Sequence, residues 1–504
     1  MTIMRINLQD LEAYLGKKVS LEKLKESISM LGTDLDSIEG DEIIVEIFPN
    51  RPDLLSFQGF ARAIAAFLNI KPGLRIYDVD TSQLSTYRVE VDVSVRYVRP
   101  YTACAIVKGI ECTPKVLEEL IDMQEKLHLS FGRDRKRVAI GIYPLEKFTL
   151  PIRYCARRPE QIVFTPLDWS SPKPAKEILE HHPAGKKYGH LLAKASMYPV
   201  FEDAQGKILS MPPIINSQET GRVTTKTREL FIECSGHHLV VVEQALAMIT
   251  SALADKGAKL YAMSVEYPDT QRITPDLRPR TIRVKQQLVQ SILGNDFLEI
   301  GDLLGKMGMS QIEKSQDAFL VQYPAYRTDI LHPIDIVEDL AIAYGYQQIP
   351  EELPSFATIG QEDPLERFKH QLAEHFVGFG MIETSTYHLL PYGAQSQQML
   401  LSDFQEIELA DSKTEYTCLR QWLLPCLVQV AKANTHHEYP QSFFEIGTCF
   451  FPNPNHDEKI GQEEKCALLL APGNYTDLRQ ILDNLFLKLR LPVEYQEHTH
   501  PSFI

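Results

Sequence analysis

The chain has 504 residues, enough for about three to four domains at roughly 150 residues each. Hydrophobic residues make up 44% and charged residues 24%, which is ordinary for a globular protein and excludes a mainly disordered, collagenous or membrane-embedded chain. The 52 basic and 67 acidic residues give a net charge of −15. A protein that coats a nucleic-acid duplex by overall positive charge is therefore excluded, and any nucleic-acid contact must use local basic patches or a partner.

Compartment signals point to the cytoplasm. The first residues contain no apolar signal-peptide run, and no stretch reaches about 18 consecutive apolar residues, so no membrane span is expected. None of the eight cysteines forms a C-x-x-C pair or has zinc-finger spacing. We expect reduced thiols buried in hydrophobic cores.

Residues 1–79 are predicted to form an N-terminal module of helices and strands. A helix should start after Ser20, a plausible N-cap, and end near Gly32. The β-rich run 42–48 predicts a strand. A second helix is expected over 54–68, because its apolar residues recur on one face.

Residues 80–268 are predicted to form one large α+β domain. Val89, Val91, Val93 and Val95 alternate with polar residues, as in a half-buried strand. Further strands are expected at 101–106 and from Val138, with helices over 114–127 and 243–254.

The rest of the chain divides near two proline-containing segments. After a polar linker, residues 271–355 predict a small domain with strands at 281–284 and 318–321. Residues 356–504 then form the last domain, whose first helix spans 364–377 and has proline at its first position.

A carboxylate cluster is the densest candidate for chemistry. Asp329, Asp335, Glu338 and Asp339 occur with no lysine or arginine between the first and the last. If Pro333 starts a helix, the last three lie on one face, and the like charges favour a hard cation such as Mg²⁺. The alternative is that carboxylates gather at a helix N-terminus because of its dipole.

A second candidate is basic. Lys126, Arg133, Arg135, Lys136 and Arg137 oppose only Asp134 within twelve residues of an acidic protein. They form either a solvated hairpin or a clamp for the phosphates of a single-stranded nucleic-acid end.

A third candidate pairs polar residues at strand ends. Asn216 follows an apolar run, and Glu233 ends another. Since buried polar side chains need partners, the two are either structural or line a pocket for water and substrate. No phosphate-binding glycine loop, dinucleotide fingerprint, zinc-protease motif or serine-hydrolase elbow occurs.

Five further blocks stand out in chain order: 28–35 (ISMLGTDL), 48–56 (FPNRPDLLS), 211–217 (MPPIINS), 230–236 (LFIECSG) and 326–346 (YRTDILHPIDIVEDLAIAYGY). Together they resemble the β subunit of phenylalanyl-tRNA synthetase, of the archaeal and eukaryotic type. They occur in the family's order over nearly the whole chain, and the carboxylate block is the most specific.

The resemblance implies a subunit of an (αβ)₂ heterotetramer. In the family, the α subunit binds ATP, activates phenylalanine and charges tRNA(Phe). The β subunit supports it, binds tRNA and hydrolyses tyrosine mischarged onto tRNA(Phe). The carboxylate block matches the family's magnesium site, shared with the α subunit, which assigns Asp329, Asp335, Glu338 and Asp339 as ligands.

The resemblance also identifies 80–268 as an editing domain. A pocket that accepts phenylalanine cannot strongly reject the same ring with one hydroxyl, so a second, hydrolytic site is useful. By position, Asn216 and Glu233 are candidates for its pocket, and Arg135 and Gln124 for the tRNA end or the ester. We expect attack by water, because no Ser/His or Cys/His set stands out.

Residues 356–504 resemble a class II synthetase core, an antiparallel sheet with helices, that has lost its catalysis. The matching pieces are 410–425 and 443–447, and Ser442 to Glu445 replace the Arg-x-Glu that would grip the ATP α-phosphate. The family chain continues beyond the block at which this one stops, so the sequence is expected to be cut short at its C-terminus, either as a fragment of a longer chain or by a real shortening.

Two other functions remain possible on sequence grounds. One is a scaffold and tRNA-binding subunit without editing activity. The other is a self-sufficient metal-dependent hydrolase using the four carboxylates, which would need further ligands or a base that the sequence does not offer.

Overall fold

The structure is a computed structural model that describes residues 2–294, 299–351, 353, 358–497 and 499–502. It has two compact units, Met1–Glu352 and Leu353–Ile504. Both mix helices with sheets, one large and several small in the first unit and two small in the second, which agrees with the predicted α+β class.

The N-terminal part of the first unit is a three-stranded antiparallel sheet, order β1–β3–β2, with three helices. The helix predicted after Ser20 is confirmed, and the Ser20 side chain accepts the Lys23 N–H. The helix predicted from residue 54 starts at Phe57, because Ser56 caps it by accepting the Gly59 N–H at 3.0 Å. The elements are β1 (Thr2–Asn7), α1 (Leu8–Leu15), α2 (Leu21–Met30), β2 (Asp34–Glu39), β3 (Glu42–Ile47) and α3 (Phe57–Phe67).

A large mixed sheet fills the middle of this unit. Its strands are β4 (Val79–Asp80), β5 (Arg88–Val91), β6 (Tyr101–Lys108), β7 (Val138–Pro144), β8 (Ile152–Arg157), β11 (Tyr198–Glu202), β12 (Ile208–Met211), β13 (Ile215–Asn216), β14 (Glu229–Gly236), β15 (Lys259–Glu266) and β16 (Gln271–Thr274). The main order is β13–β12–β11–β8–β5–β15–β6–β14–β7, and β4 and β16 also pair with β15.

Helices and one short ladder complete this region. They are α4 (Pro114–Leu129), α5 (Ala175–His181), α6 (Pro183–Tyr188), α7 (Leu239–Asp255), and the paired strands β9 (Val163–Phe164) and β10 (Lys173–Pro174). The strand predicted through Val95 ends at Val91. The Asp92 side chain accepts the Ser94 N–H at 2.9 Å and starts a 3₁₀ turn, so Val93 is exposed.

Three strands and three helices follow in the same unit. They are β17 (Arg280–Lys285), α8 (Gln286–Leu293), α9 (Ile300–Lys306), β18 (Ser310–Lys314), β19 (Ala318–Tyr323) and α10 (Pro333–Tyr344), with the sheet order β17–β19–β18. One continuous hydrophobic core includes Ile6, Phe60, Leu246, Leu304 and Leu340. The three sequence modules of residues 1–352 therefore pack as one body.

The second unit has its own smaller core, with Phe376, Met381, Phe444 and Leu485. Its elements are α11 (Pro364–Gly378), β20 (Ile382–Glu383), β21 (Leu389–Pro391), β22 (Ile407–Glu408), β23 (Tyr416–Leu419), α12 (Leu424–Ala433), β24 (Gln441–Pro452), β25 (Ile460–Ala471) and α13 (Tyr475–Leu489). They give two three-stranded sheets, β20–β24–β25 and β21–β23–β22. The assignment to a class II core stays a prediction.

Candidate functional site

The four predicted metal ligands lie on α10 and in the turn before it. Asp335 is in the first turn of the helix, and its carboxylate accepts the N–H groups of Leu331 and His332 at 2.7 and 2.6 Å. Two backbone donors at the helix start thus hold one carboxylate, as in a capping box. This supports the dipole and capping explanation for Asp335.

Asp329 and Asp339 share one guanidinium. Nη2 of Arg327 donates to both carboxylates at 2.7 Å, and Nε of Arg327 donates to Asp329 at 2.9 Å. The Arg327 side chain is 2% exposed. The cluster therefore has a cation of its own, which precedes its first carboxylate by two residues.

The shared cation shifts the two carboxyl groups differently. Burial opposes ionisation of Asp329, but the charge and hydrogen bonds of Arg327 outweigh it and lower the Asp329 pKa to about 2. For Asp339, which is more deeply buried, desolvation prevails over the same cation, and its pKa is raised.

Glu338, the fourth predicted ligand, is exposed. Within the described ranges, no group of three or more His, Cys, Asp and Glu side chains is placed to hold a metal ion. The four carboxylates thus do not fit a single Mg²⁺ site as they stand, since one serves as a cap and two are bound to Arg327.

A second Arg-x-Asp pair lies beside the first. Nε and Nη2 of Arg51 donate to the two carboxylate oxygens of Asp53, each at 2.8 Å. Both Arg327 and Asp329 are close enough to act on the pKa of Arg51, which is raised although burial alone would lower it. Two charged turns, far apart in sequence, thus meet inside the first unit.

Glu233 lies on β14, the strand next to β7 at one end of the large sheet's order. It faces Gly141 across the β14–β7 ladder and is 2% exposed. The Tyr143 hydroxyl lies 3.0 Å from its Oε1 and 2.8 Å from Oγ of Ser210. Its Oε2 is buried without a hydrogen-bond partner among the described residues. Burial raises the pKa of Glu233 to about 8.

Gly141 makes room for this carboxyl group. A Cβ at position 141 would lie 2.2 Å from the Tyr143 hydroxyl and 2.5 Å from Oε1 of Glu233. Real Cβ atoms essentially never approach so closely, so the Tyr143–Glu233 contact requires glycine here.

Asn216 lies at the opposite end of the sheet order from β7, yet its side chain reaches that strand. Its Nδ2 is 3.5 Å from the Ile142 carbonyl oxygen. Together with the Tyr143–Ser210 contact, this brings the two ends of the sheet order together. Asn216 and Glu233 are thus placed on either side of β7, with no direct hydrogen bond between them.

Gln124 and Arg135 are committed to the backbone. Nε2 of Gln124 donates to the Ile140 carbonyl at 2.7 Å. Nη1 of Arg135 donates to the Ile214 carbonyl at 2.9 Å, and Nη2 donates to Glu125 at 2.7 Å. Nε of Arg135 is buried and lacks a partner among the described residues.

His128 also forms a hydrogen bond with the backbone of β7. Its Nε2 accepts the Ile140 N–H at 2.8 Å, so the proton of the neutral ring is on Nδ1, which is 3.1 Å from Glu125. Burial lowers the His128 pKa to about 4. Gln124 and His128 thereby satisfy edge groups of β7 that would otherwise be free to pair with another strand.

The basic stretch is a tight turn. Arg133, Asp134 and Arg135 all have positive φ, between 47° and 64°. Arg133 and Lys136 are exposed. Lys136 also lines an open cavity of about 400 Å³ that contains no carboxylate among its lining residues. The polar side chains of this basic cavity are Arg99, Lys136, His190, Lys194 and His237.

Several partners of the candidates could not be found from motifs. Tyr143 and Ser210 belong to no recognisable pattern, and only tertiary contacts bring them together with Glu233. Arg327 belongs to the block 326–346, but its role emerges only from its pairing with Asp339, twelve residues later.

Comparison with known proteins identifies the class first. A family model described as "tRNA synthetase B5 domain" matches residues 282–346. Another, "Phenylalanyl tRNA synthetase beta chain CLM domain", matches residues 349–504. Both describe parts of aminoacyl-tRNA synthetases.

Whole-chain relatives then narrow the class to one family. The phenylalanine--tRNA ligase β subunit of Pyrococcus furiosus is 38% identical, with 98% of this chain and 90% of the relative covered. That of Methanococcoides burtonii is 35% identical, over 100% and 92%. The chain belongs to the family of phenylalanine--tRNA ligase β subunits, as its sequence blocks predicted.

A solved structure supports the fold of the first unit. The crystal structure of an N-terminal fragment of the Pyrococcus horikoshii phenylalanyl-tRNA synthetase β subunit is 38% identical. Its match has a TM-score of 0.64 and covers 68% of this chain and all of that fragment. In the part of the chain that the structure describes, no helix is long and apolar enough to cross a membrane.

Proposed function

We propose that this chain supports the charging of tRNA(Phe) with phenylalanine as the β subunit of a phenylalanine--tRNA ligase. The α subunit would bind ATP and carry out the transfer in a cytoplasmic (αβ)₂ heterotetramer. The observation that carries this proposal is the 38% sequence identity with a named β subunit, in an alignment that covers 98% of the chain. Recombinant α subunit, assayed for charging with and without this chain, tests it.

We further propose that the region around Glu233 hydrolyses tyrosyl-tRNA(Phe). The supporting observation is the buried Oε2 of Glu233, which has no partner among the described residues. A tyrosine hydroxyl is a group that would pair with it. Phenylalanine has no such group and would leave the carboxyl unpaired, which is the kind of contact that gives strong discrimination.

The protonation state of Glu233 suits this role. With a pKa near 8, the carboxyl group is largely protonated at neutral pH and can donate to the phenol oxygen as well as accept from it. The Tyr143 hydroxyl, at 3.0 Å, fixes the carboxyl orientation. The editing site would spare phenylalanyl-tRNA(Phe), the correct product, because phenylalanine differs from tyrosine only in lacking this polar hydroxyl.

Water is the proposed nucleophile. Our hypothesis that Asn216 lines the pocket fits the position of its amide beside the β7 edge, where it could orient water or the ester carbonyl. Gln124 and Arg135 would act by positioning, because they donate to backbone carbonyls and, for Nη2 of Arg135, to the Glu125 carboxylate. The basic cavity would hold phosphates of the tRNA end.

Deacylation of tyrosyl-tRNA(Phe) by the complex tests the editing proposal. Glu233→Ala and Asn216→Ala should slow ester loss by at least about tenfold, since each removes a polar contact worth 1.4 kcal/mol or more. Glu202→Gln is the matched control, because Glu202 is also buried with one unpartnered oxygen but pairs with Arg157. Equal, background-level ester loss in every protein would favour the non-editing scaffold.

Magnesium binding by Asp329, Asp335, Glu338 and Asp339 together with the α subunit stays a proposal. For all four to act as ligands, Arg327 would have to release two of them. Asp335→Ala combined with Glu338→Ala should weaken pairing with the α subunit when Mg²⁺ is limiting. Assembly unchanged at every Mg²⁺ concentration would refute the site.

A further inference from the structure

A small cavity in the first unit has six cationic side chains among its sixteen lining residues. Its volume is about 60 Å³, and its only lining carboxylate among the described residues is that of Asp53. The lining cations come from the N-terminal module and from the region that follows the large sheet: Arg51, Arg62, Lys71, Arg75, Lys306 and Arg327. We call it the cationic cavity.

The three deepest cations are fixed in place. Arg51 is held by Asp53, and Arg327 by Asp329 and Asp339. Arg62 pairs with Asp255, and its guanidinium stacks 3.8 Å above the centroid of the Tyr326 ring. These contacts hold the three guanidinium groups in place at the cavity wall, each against at least one carboxylate.

The outer cations provide a surplus of positive charge. Neither Lys71 nor Lys306 has a carboxylate within 4 Å among the described residues; Lys71 donates to the Tyr14 carbonyl at 2.7 Å and Lys306 to the Ala343 carbonyl at 3.3 Å. Arg75 only shares Asp255 with Arg62. Two ammonium groups and part of a guanidinium thus face the cavity without neutralising partners.

We propose that the cationic cavity binds a phosphate group, either as free inorganic phosphate or as a phosphate of an RNA chain. A volume of 60 Å³ has room for about four water-sized oxygens at roughly 15 Å³ each, which matches a tetrahedral oxyanion. Arginine forks and lysine ammonium groups are the donors that phosphate prefers. Since the cavity uses none of the proposed editing residues, the inference is independent of the proposed hydrolysis.

Equilibrium dialysis of the full chain with radiolabelled inorganic phosphate, at constant ionic strength in chloride with EDTA present, tests the proposal. We expect saturable binding that Lys71→Met with Lys306→Met weakens at least tenfold. Lys18→Met with Lys25→Met is the matched control, because both lysines are exposed and lie outside the cavity. Control binding should equal that of the wild type.

Competition identifies the source of the phosphate. A 5′-phosphorylated RNA trinucleotide that displaces the label, when its 5′-hydroxyl counterpart does not, assigns the cavity to a terminal RNA phosphate. Displacement by both assigns it to the RNA backbone, and displacement by neither assigns it to free phosphate. If the lysine double variant unfolds, Arg75→Met at the partly exposed edge replaces it. Absence of saturable binding, or binding equal in the cavity and control variants, would overturn the proposal.

Discussion

Nη2 of Arg327 lies 2.7 Å from a carboxylate oxygen of Asp339, and the same nitrogen holds Asp329 at 2.7 Å. This contact ties the turn before α10 to the helix itself. Removing one partner of a buried ion pair leaves the other charge uncompensated, which costs more than the pair contributes. The arginine is therefore expected to be as important for the fold as the carboxylates.

Arg327→Met should destabilise the first unit by about 3–5 kcal/mol, because it strands two buried carboxyl groups. Urea unfolding reports this change through the fluorescence of Trp169, with the second tryptophan removed by Trp422→Phe. Arg278→Met is the control, since Arg278 pairs with Asp276 but is 86% exposed. Its urea midpoint should equal that of the parent, and an equal shift in both variants would contradict the network.

Glu233→Gln should change how stability depends on pH. The native carboxyl keeps its proton up to about pH 8, whereas the unfolded chain loses it above about pH 4.5. Stability from the protonated group is therefore full below pH 4.5 and declines as the pH rises to 8, at ~1.4 kcal/mol per unit. Glutamine cannot ionise, so the variant should match the wild type near pH 4.5 and exceed it near pH 8.5. Parallel stability curves would show that the pKa is not raised.

Gly141→Ala should disturb the Tyr143–Glu233 contact. The added methyl group cannot fit beside either oxygen, and such overpacking costs about 1–3 kcal/mol. The midpoint of thermal unfolding and the rate of tyrosyl-tRNA(Phe) deacylation should both fall. Gly301→Ala is the control: its Cβ would meet only the Gln311 side chain, at 3.6 Å, so stability should be kept or slightly raised. An unchanged deacylation rate in Gly141→Ala would show that editing does not depend on the Tyr143–Glu233 contact.

The basic cavity predicts that deacylation of tyrosyl-tRNA(Phe) depends on salt concentration. Lys136→Gln with Lys194→Gln should raise KM for tyrosyl-tRNA(Phe) several-fold, flatten the dependence of deacylation on salt and leave kcat nearly unchanged, because phosphate contacts position the tRNA without touching the ester. Lys147→Gln with Lys226→Gln, both exposed and outside the cavity, should alter neither quantity. A lower kcat at constant KM in the first pair would contradict a positioning role.

Local patterns predicted some of the helices and strands of the first unit. Ser20 caps its helix as expected, and Val138 begins a strand as expected. The opening strand Thr2–Asn7 was missed, because its burial depends on pairing with residues 42–47, which follow two helices and a strand. Val93 alternates correctly for a strand, yet the Asp92 side chain ends that strand with a competing hydrogen bond.

In the candidate sites, too, local sequence identified some residues but not their contacts. The sequence block supplied Glu233 and Asp335, but neither the unpaired oxygen of Glu233 nor the capping bonds of Asp335 follow from spacing. Arg327 precedes the carboxylate run, so a charge count over 329–339 could not include it. Such features depend on tertiary contacts between distant segments.

We expect this chain to complete a phenylalanine--tRNA ligase by pairing with an α subunit. The most direct measurement is aminoacylation of tRNA(Phe) by a purified α subunit of the same family, alone and after co-purification with this chain. We predict a stable complex of equal stoichiometry whose charging rate exceeds that of the α subunit alone by at least about tenfold, or 1.4 kcal/mol in transition-state stabilisation. Failure to form a complex, or equal charging with and without this chain, would contradict the account.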